Sequence, residues 1–183
     1  MSKFYNDKAV AIYAQNKEVG WWEGENNCCI YQKLQLVSTE IAEATEGARK
    51  DLMDDHLPHR KMIEVELADA LIRVLDIGGR LDLVHSTLDP ETRNEVVGRT
   101  DSMPTIGGKL FMINCLIFSL GLCIADGDED VNEAYSVLIE LIVYVSHDLG
   151  CDVFTAMDEK LEYNKHRSDH KKENRTNDGG KKF

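Results

Sequence analysis

The sequence predicts an all-α protein. Apolar residues recur at the three- and four-residue spacing of helix faces along most of the 183-residue chain. No stretch shows the alternation of apolar and polar residues between tight-turn dipeptides that is typical of strands. The chain is 43% hydrophobic, which is enough for one substantial core. We therefore expect one helical domain over residues 1–167, followed by a polar, basic tail over residues 168–183.

Seven helices are predicted, and most are bounded by a glycine, a proline or an acidic residue. They cover residues 6–19, 27–50, 59–83, a short stretch after Asp89, 105–125, 130–149 and 151–167. Gly20 is placed to end the first helix, and Pro58 separates the second from the third. The pair Asp89-Pro90 opens the short fourth helix.

The fifth and sixth helices are both apolar and are joined only by the acidic segment DGDED, residues 126–130. A connection this short favours a helical hairpin. The run Leu110 to Ala125 is apolar on nearly every side, and a helix of that kind must be surrounded. We therefore expect a homo-oligomer, a dimer or a dimer of dimers, in which these helices bury faces that one subunit cannot cover.

Charge is distributed unevenly along the chain. The formal net charge is −12. From Lys160 to the end there are eight basic and four acidic residues, so this part carries +4 and residues 1–159 carry −16. An acidic body argues against a nucleic-acid polymer as partner, because that affinity comes mainly from lysine and arginine. The basic end is a local anion-binding candidate.

Cysteine usage and hydropathy predict a reduced, cytoplasmic protein. The five cysteines form no zinc-type CxxC pair, and an odd number suits a disulfide framework poorly. The first residues show no signal-peptide pattern. The longest uncharged run spans 16 residues, 110–125, whereas a membrane span needs about 20. We therefore expect a buried helix there and no membrane partner.

Three glutamates three residues apart lie in the second helix, within STEIAEATEGARK, residues 38–50. Its apolar residues form one stripe: Ile30, Leu34, Val37, Ile41, Ala44 and Ala48. At about 100° per residue, Glu40 lies at the edge of this stripe and Glu43 follows on the same side. Glu46 points away and is expected to be solvated.

The third helix repeats the arrangement. Glu66 and Asp69 are displaced from its apolar stripe by offsets that match those of Glu40 and Glu43. If the two helices pack antiparallel, both carboxylate pairs converge beside their seam. Crowded carboxylates in low dielectric must protonate or bind a cation. Because oxygen ligands alone favour Mg²⁺ or Mn²⁺ over zinc, one of these two ions is the candidate cation.

The same spacing also suits an ordinary solvated helix face. Arg73 lies four residues after Asp69, where an ion pair with it would neutralise the charge without any metal. A di-iron carboxylate bundle would require Glu-x-x-His repeats, and the sequence has no such set. Solvation and a divalent-metal site are the alternatives that spacing leaves open.

Three stretches resemble one known family. They are GWWEGENNCCIYQKLQLVSTEIAEATEGARK, EVELADALIRVLD and KLEYNKHRSDHKKENRTNDGGKKF, at residues 20–50, 64–76 and 160–183. Together they resemble the all-α nucleoside triphosphate pyrophosphohydrolases of the MazG type, particularly phage-like members. The resemblance covers about residues 20–84 and 152–183. The segment 85–150 departs from compact members and is interpreted as an extra hairpin inserted before the last helix.

The resemblance implies a bundle of that family and a specific activity. Members cleave a nucleoside or deoxynucleoside triphosphate to the monophosphate and pyrophosphate, with Mg²⁺ held by an ExxE helix and an ExxD helix. The implied metal and catalytic residues are Glu40, Glu43, Glu66 and Asp69. A downstream K-x-x-YN-x-x-R pattern implies phosphate contacts by Lys160, Tyr163, Asn164 and Arg167. A nucleotide-pool role in a prokaryotic or phage-infected cell follows from the same resemblance.

The sequence also allows other roles for some residues and other functions for the protein. Trp21 and Trp22 are candidates to stack on a base, although large aromatic residues more often belong to a core. Lys160 and Arg167 also suit a basic helix end that offsets the macrodipole. The rival functions are a dUTPase or dCTPase of the same superfamily and a non-catalytic interaction protein with this fold.

Overall fold

The computed structural model describes residues 1–24 and 28–167. Within these ranges the chain forms seven α-helices and no strand, apart from one isolated antiparallel bridge between Met53 and Lys61. The all-α prediction is therefore confirmed. The helices are α1 (Ser2–Glu18), α2 (Ile30–Lys50), α3 (Met62–Leu81), α4 (Pro90–Asp101), α5 (Ile106–Asp126), α6 (Val131–Asp148) and α7 (Val153–His166).

Helices α2 and α3 form an antiparallel pair. Gly47 near the end of α2 lies so close to the start of α3 that an added methyl group would come within 2.8 Å of Met62 Cβ. The loop between them is held by the buried Asp54, whose carboxylate accepts hydrogen bonds from the backbone N–H groups of His56 and Leu57 at 2.9 and 2.7 Å. Because this turn uses the residues after Pro58, α3 begins at Met62 and not at the predicted His59.

Helix α3 is the central element. Nearly all of its residues from Val65 to Gly78 are buried, and it packs against α1, α2, α6 and α7. The predicted apolar stripe faces this core, with Leu67, Leu71 and Val74 fully buried. Because α3 is closely packed on several sides, the side chains that it directs toward the site are held in fixed positions.

The short α4 is confirmed together with its cap. Asp89 accepts hydrogen bonds from the backbone N–H groups of Glu91 and Thr92 at 2.9 and 3.0 Å, and Pro90 takes the first helical position. These bonds satisfy two of the N–H groups that a helix start leaves unpaired. The local sequence signal was therefore sufficient for this element.

Helices α5 and α6 pack against each other as the predicted hairpin, and α5 also contacts α2. The expectation of a buried α5 is wrong for the single chain. Four of its residues are buried, Leu110, Ile113, Ile117 and Leu120, whereas several large apolar side chains point to solvent. Among the helices of the described residues, α5 alone is long and apolar enough by length and composition to cross a membrane, and most of it is not buried in the bundle. The bundle covers the face that carries these four residues and leaves the opposite face exposed.

Candidate functional site

The predicted carboxylates come together at the α2–α3 seam. In the antiparallel register set by Gly47 and Met62, each step back along α2 is matched by a step forward along α3. Glu43 and Glu40 therefore come level with Glu66 and Asp69. One carboxylate oxygen from each of Glu40, Glu43 and Glu66 lies within 4.8 Å of the other two. The predicted convergence of the two helices is thus observed for three of the four residues.

Burial differs among these carboxylates. Glu40 and Glu66 are only 6% and 5% exposed, whereas Glu43 lies at the solvent-facing edge of the cluster. Burial raises the pKa of Glu66 to about 9, and the negative charges of Asp69, Glu40 and Glu43 act in the same direction. Glu46 stays apart from the cluster, as predicted, and pairs with Arg49 and Lys50 on its own helix. The cluster therefore crowds carboxyl groups where water screens them least, and this crowding favours either protonation or a bound cation.

Asp69 has a cationic partner from α7. Its Oδ2 accepts a hydrogen bond from Lys160 Nζ at 2.8 Å, and the lysine side chain is only 3% exposed. Burial alone would lower the pKa of Lys160, but the charge and hydrogen bond of Asp69 and the charge of Glu66 raise it. Burial in turn raises the pKa of Asp69, an effect that Lys160 opposes. Lys160 is therefore a charged ammonium group held beside the cluster.

Arg73 pairs with a different carboxylate from the one that sequence spacing suggested. Its Nε donates to Glu40 Oε1 on α2 at 2.5 Å, across the seam. The alternative that the spacing left open, an ion pair with Asp69 four residues earlier, is not the pair that forms. The reason is tertiary: α2 brings a buried carboxylate to one side of Arg73, while Lys160 of α7 already serves Asp69.

A cavity of about 510 Å³ opens beside the cluster. All four predicted carboxylates line it, together with Lys160, Asn164 and Arg167 of the phosphate pattern. Asn164 Oδ1 is buried and has no hydrogen-bond partner within the described part of the chain. Tyr163 does not line this cavity, and its ring packs against His56 with a centroid distance of 4.9 Å. Three of these four residues thus face the same space as the acidic cluster.

The two tryptophans take different places. Trp21 lines the cavity, whereas Trp22 is buried and donates its indole N–H to Asp76 Oδ1 at 3.0 Å. Burial raises the pKa of Asp76 to about 6, while the hydrogen bonds from Trp22 and Asn16 oppose that shift. Trp21 is therefore the better placed of the two for a base contact, and Trp22 is a core residue that orients Asp76.

Sequence reasoning missed several residues of this cavity. They are Gln15 and Asn16 of α1, Lys33 of α2, His56 of the α2–α3 loop, and Ile72, Asp76 and Ile77 of α3. Asp76 lies seven residues after Asp69, so its position on the same helix face was a usable signal. The α1 and loop residues had none, because only packing of distant segments brings them to α3.

The carboxylate cluster fits a hard divalent cation. Each Mg²⁺–oxygen distance is about 2.1 Å, so two oxygen ligands of one ion lie at most about 4.2 Å apart. Three oxygens within 4.8 Å of one another need only small side-chain movements to meet that limit. The cluster offers oxygen alone, which suits Mg²⁺ or Mn²⁺ better than zinc. Asp69 adjoins it as a fourth carboxylate, paired at present with Lys160.

Comparison with protein-family models, with curated proteins and with solved structures finds no match to this chain. The resemblance to MazG-type enzymes therefore stays a hypothesis that rests on its motifs.

Proposed function

We propose that the protein hydrolyses nucleoside or deoxynucleoside triphosphates to the monophosphate and pyrophosphate, with Mg²⁺ as cofactor. The observation that carries this proposal is the meeting of Glu40, Glu43 and Glu66 at one wall of a cavity that Lys160 and Arg167 also line. A site that joins a carboxylate cluster to cations suits a metal-bound polyphosphate, because the carboxylates hold the metal and the cations hold the phosphates.

The four carboxylates would hold Mg²⁺, and the rest of the chain would bind the substrate. When bound, the ion supplies neutralisation of charge on the phosphate oxygens. Asp69 would be the fourth metal ligand, and Lys160, which pairs with it, would neutralise charge on the phosphate side of the cavity. One carboxylate oxygen of the set that is not bound to the metal would accept the proton of the attacking water.

The phosphate side of the cavity is built on α7. Lys160 and Asn164 are four residues apart on one face of α7, and Arg167, the extended residue that follows the helix, lines the same cavity. Arg167 presents a planar group suited to two phosphate oxygens at once. The buried Oδ1 of Asn164 would accept a hydrogen bond from a sugar hydroxyl, and the amide NH₂ of the same side chain would donate to a phosphate oxygen.

The far part of the cavity has the character of a base subsite. Trp21 and Ile72 supply flat and apolar surface, and Gln15 and Asn16 supply amides that read hydrogen-bonding edges. A cavity of about 510 Å³ falls in the usual range for small-ligand sites. This part of the site would select among the bases.

The deciding experiment is a panel of the common ribo- and deoxyribonucleoside triphosphates, incubated with the purified protein and Mg²⁺ and assayed for pyrophosphate. We expect release of pyrophosphate and monophosphate, and loss of both with EDTA. Activity on a single pyrimidine nucleotide would mark a dedicated dUTPase or dCTPase. No release from any nucleotide with Mg²⁺ or Mn²⁺ would contradict the proposal and favour a non-catalytic interaction protein.

A pair of variants tests the site within that assay. Glu66→Gln keeps the shape of the side chain but removes a metal ligand, so we expect kcat/KM to fall by about 100-fold or more. Since burial raises the pKa of Glu66 to about 9, its carboxyl group is largely protonated at neutral pH in the metal-free protein, and a neutral amide of the same shape should not lower the melting temperature. Glu46 lies on α2 but outside the cluster, so Glu46→Gln is the matched control and should behave as wild type. Full activity in Glu66→Gln would refute the site assignment.

A further inference from the structure

Helix α5 carries an uncovered apolar face. Phe111, Phe118 and Leu122 are 63%, 67% and 47% exposed, and Cys115 and Ala125 lie on the same face and are also exposed. Successive members of this face are four, three, four and three residues apart. That spacing is the heptad repeat of a helix that packs along another helix, not the scatter of single apolar residues normal on a surface. No residue in the described part of the chain buries these side chains.

Charge is kept away from the face and placed at its two ends. There is no charged residue from 110 to 125. Lys109 turns to the side, where its Nζ contacts Asp148 Oδ2 of α6 at 2.5 Å. The first turn of α5 has no acidic residue and the last has no basic one, and the helix runs into the acidic segment 126–130. The positive end of the helix dipole therefore carries no acidic residue, and its negative end carries uncompensated acid.

We propose that this face is the interface between two copies of the chain, packed antiparallel about a twofold axis. A twofold contact needs a surface complementary to itself, which a charge-free heptad face provides. Centred between Cys115 and Phe118, the arrangement places Phe111 of each copy opposite Leu122 of the other. It also brings the acidic segment 126–130 of each copy to the positive dipole end of the partner's α5, whose first turn carries no acid.

The charge pattern favours a second copy over a lipid surface. Insertion of α5 as a membrane span would pull Leu110, Ile113 and Ile117 out of the core that they share with α6 and α2. Shallow insertion would bring the acidic segment 126–130 and a protein of net charge −12 to a surface that is commonly anionic. Neither cost arises when two copies pair through α5. The interface lies in the segment 85–150, so it is independent of the proposed activity.

Light scattering coupled to size-exclusion chromatography tests the proposal on the full chain at micromolar concentration. Wild type should show twice the 20.7 kDa mass of one chain. Phe118→Glu should reduce the mass to that of one chain while leaving the circular dichroism spectrum unchanged, because its side chain is already solvent-facing in the subunit. Val10→Glu is the matched control: Val10 is also 67% exposed but lies on α1, and this variant should stay dimeric.

Chemical cross-linking gives a second, independent readout. In the antiparallel arrangement the two helix axes would lie about 9 Å apart, and the two Cys115 residues would be displaced by about 4.5 Å along the axes. Their Cα atoms would therefore lie about 10 Å apart. That separation is too long for a disulfide and suits a short bismaleimide. In a variant with Cys28 and Cys29 changed to serine, cross-linked dimer should form and should disappear with Cys115→Ser. A monomeric wild type, a dimeric Phe118→Glu, or sedimentation of monomer with phosphatidylcholine vesicles would overturn the proposal.

Discussion

At the residue scale, the site concentrates buried charge that the fold itself does not need. Ion pairs that are taken out of water rarely add stability over apolar residues of the same size. Arg73 and Lys160 offset two of the carboxylates, yet Glu66 still has a pKa of about 9. Groups perturbed in this way, lining one cavity, are more typical of functional sites than of structural ion pairs. This is the physical reason to look for a ligand there.

Asp76 should make both stability and Trp22 fluorescence depend on pH. Burial raises its pKa from the ordinary 3.8 to about 6 in the folded protein. Between those values the native state keeps a proton that the unfolded chain has lost, so the free energy of unfolding falls as pH rises through this window. The shift corresponds to at most about 3 kcal/mol. The melting temperature of Asp76→Asn minus that of wild type should therefore increase as pH rises from 4 to 7.

Fluorescence isolates the same titration. In a Trp21→Phe background the emission of Trp22 should change with a midpoint near pH 6, because its indole N–H donates to the titrating carboxylate. Adding Asp76→Asn should abolish the transition, since an amide still accepts the bond but has no proton to lose. A transition that persists in this double variant would assign the midpoint to another group.

At the element scale, α3 depends on close approach to its neighbours. A methyl group at Gly78 would lie 2.2 Å from the Tyr135 hydroxyl of α6, and one at Gly79 would lie 2.4 Å from the Ala9 carbonyl oxygen of α1. Both distances are far below contact, so these glycines are required by packing. They allow α1 and α6 to meet α3 on adjoining sides, and α1 in turn carries the side chains of Asn16 and Gln15 to the cavity.

Alanine substitution at Gly79 should therefore destabilise the protein, by about 1–3 kcal/mol, because backbone of α1 must move. Gly98 of α4 is the matched control, since an added methyl group there meets nothing within 4 Å. Gly98→Ala should stabilise by about 0.5–1 kcal/mol, the usual gain from removing a glycine inside a helix. Urea unfolding measures both. Equal effects of the two substitutions would show that the α1–α3 contact is looser than described.

At the scale of the whole molecule, charge separates a strongly acidic body from a basic end. Residues 1–159 carry −16, so a polyphosphate meets long-range repulsion before it reaches Lys160 and Arg167. The sequence predicts that the basic tail, residues 168–183 with the final GGKKF, helps to bind an anion. These residues lie outside the described part of the chain. The role of this tail as a local source of positive charge stays a prediction from composition.

Removal of residues 168–183 should raise KM about 10-fold and lower kcat less. The tail would add uniform binding to the phosphates and leave the chemistry to the seam, which affects KM selectively. Steady-state kinetics at two salt concentrations measure this, and the difference should shrink at high salt. A full-length variant with Lys171, Lys172, Lys181 and Lys182 changed to glutamine separates charge from length. Wild-type constants in the truncated enzyme at both salt concentrations would reduce the phosphate role to α7.

The sequence by itself determined the helical class, the order of the helices and the two carboxylate pairs. These follow from local rules: the apolar period of α2 and α3, the Asp89-Pro90 start of α4, and the three-residue spacing of Glu40 and Glu43. Each rule acts over one or two turns of chain, so a single segment contains the whole signal.

Only the tertiary structure decided which distant groups share the site and which surfaces stay open. Packing assigned Arg73 to Glu40, placed Trp22 in the core and exposed one face of α5. It also brought α1 and the α2–α3 loop to the cavity. These outcomes depend on contacts between residues far apart in sequence. Their energies are set by burial and by competing partners, which no local pattern records.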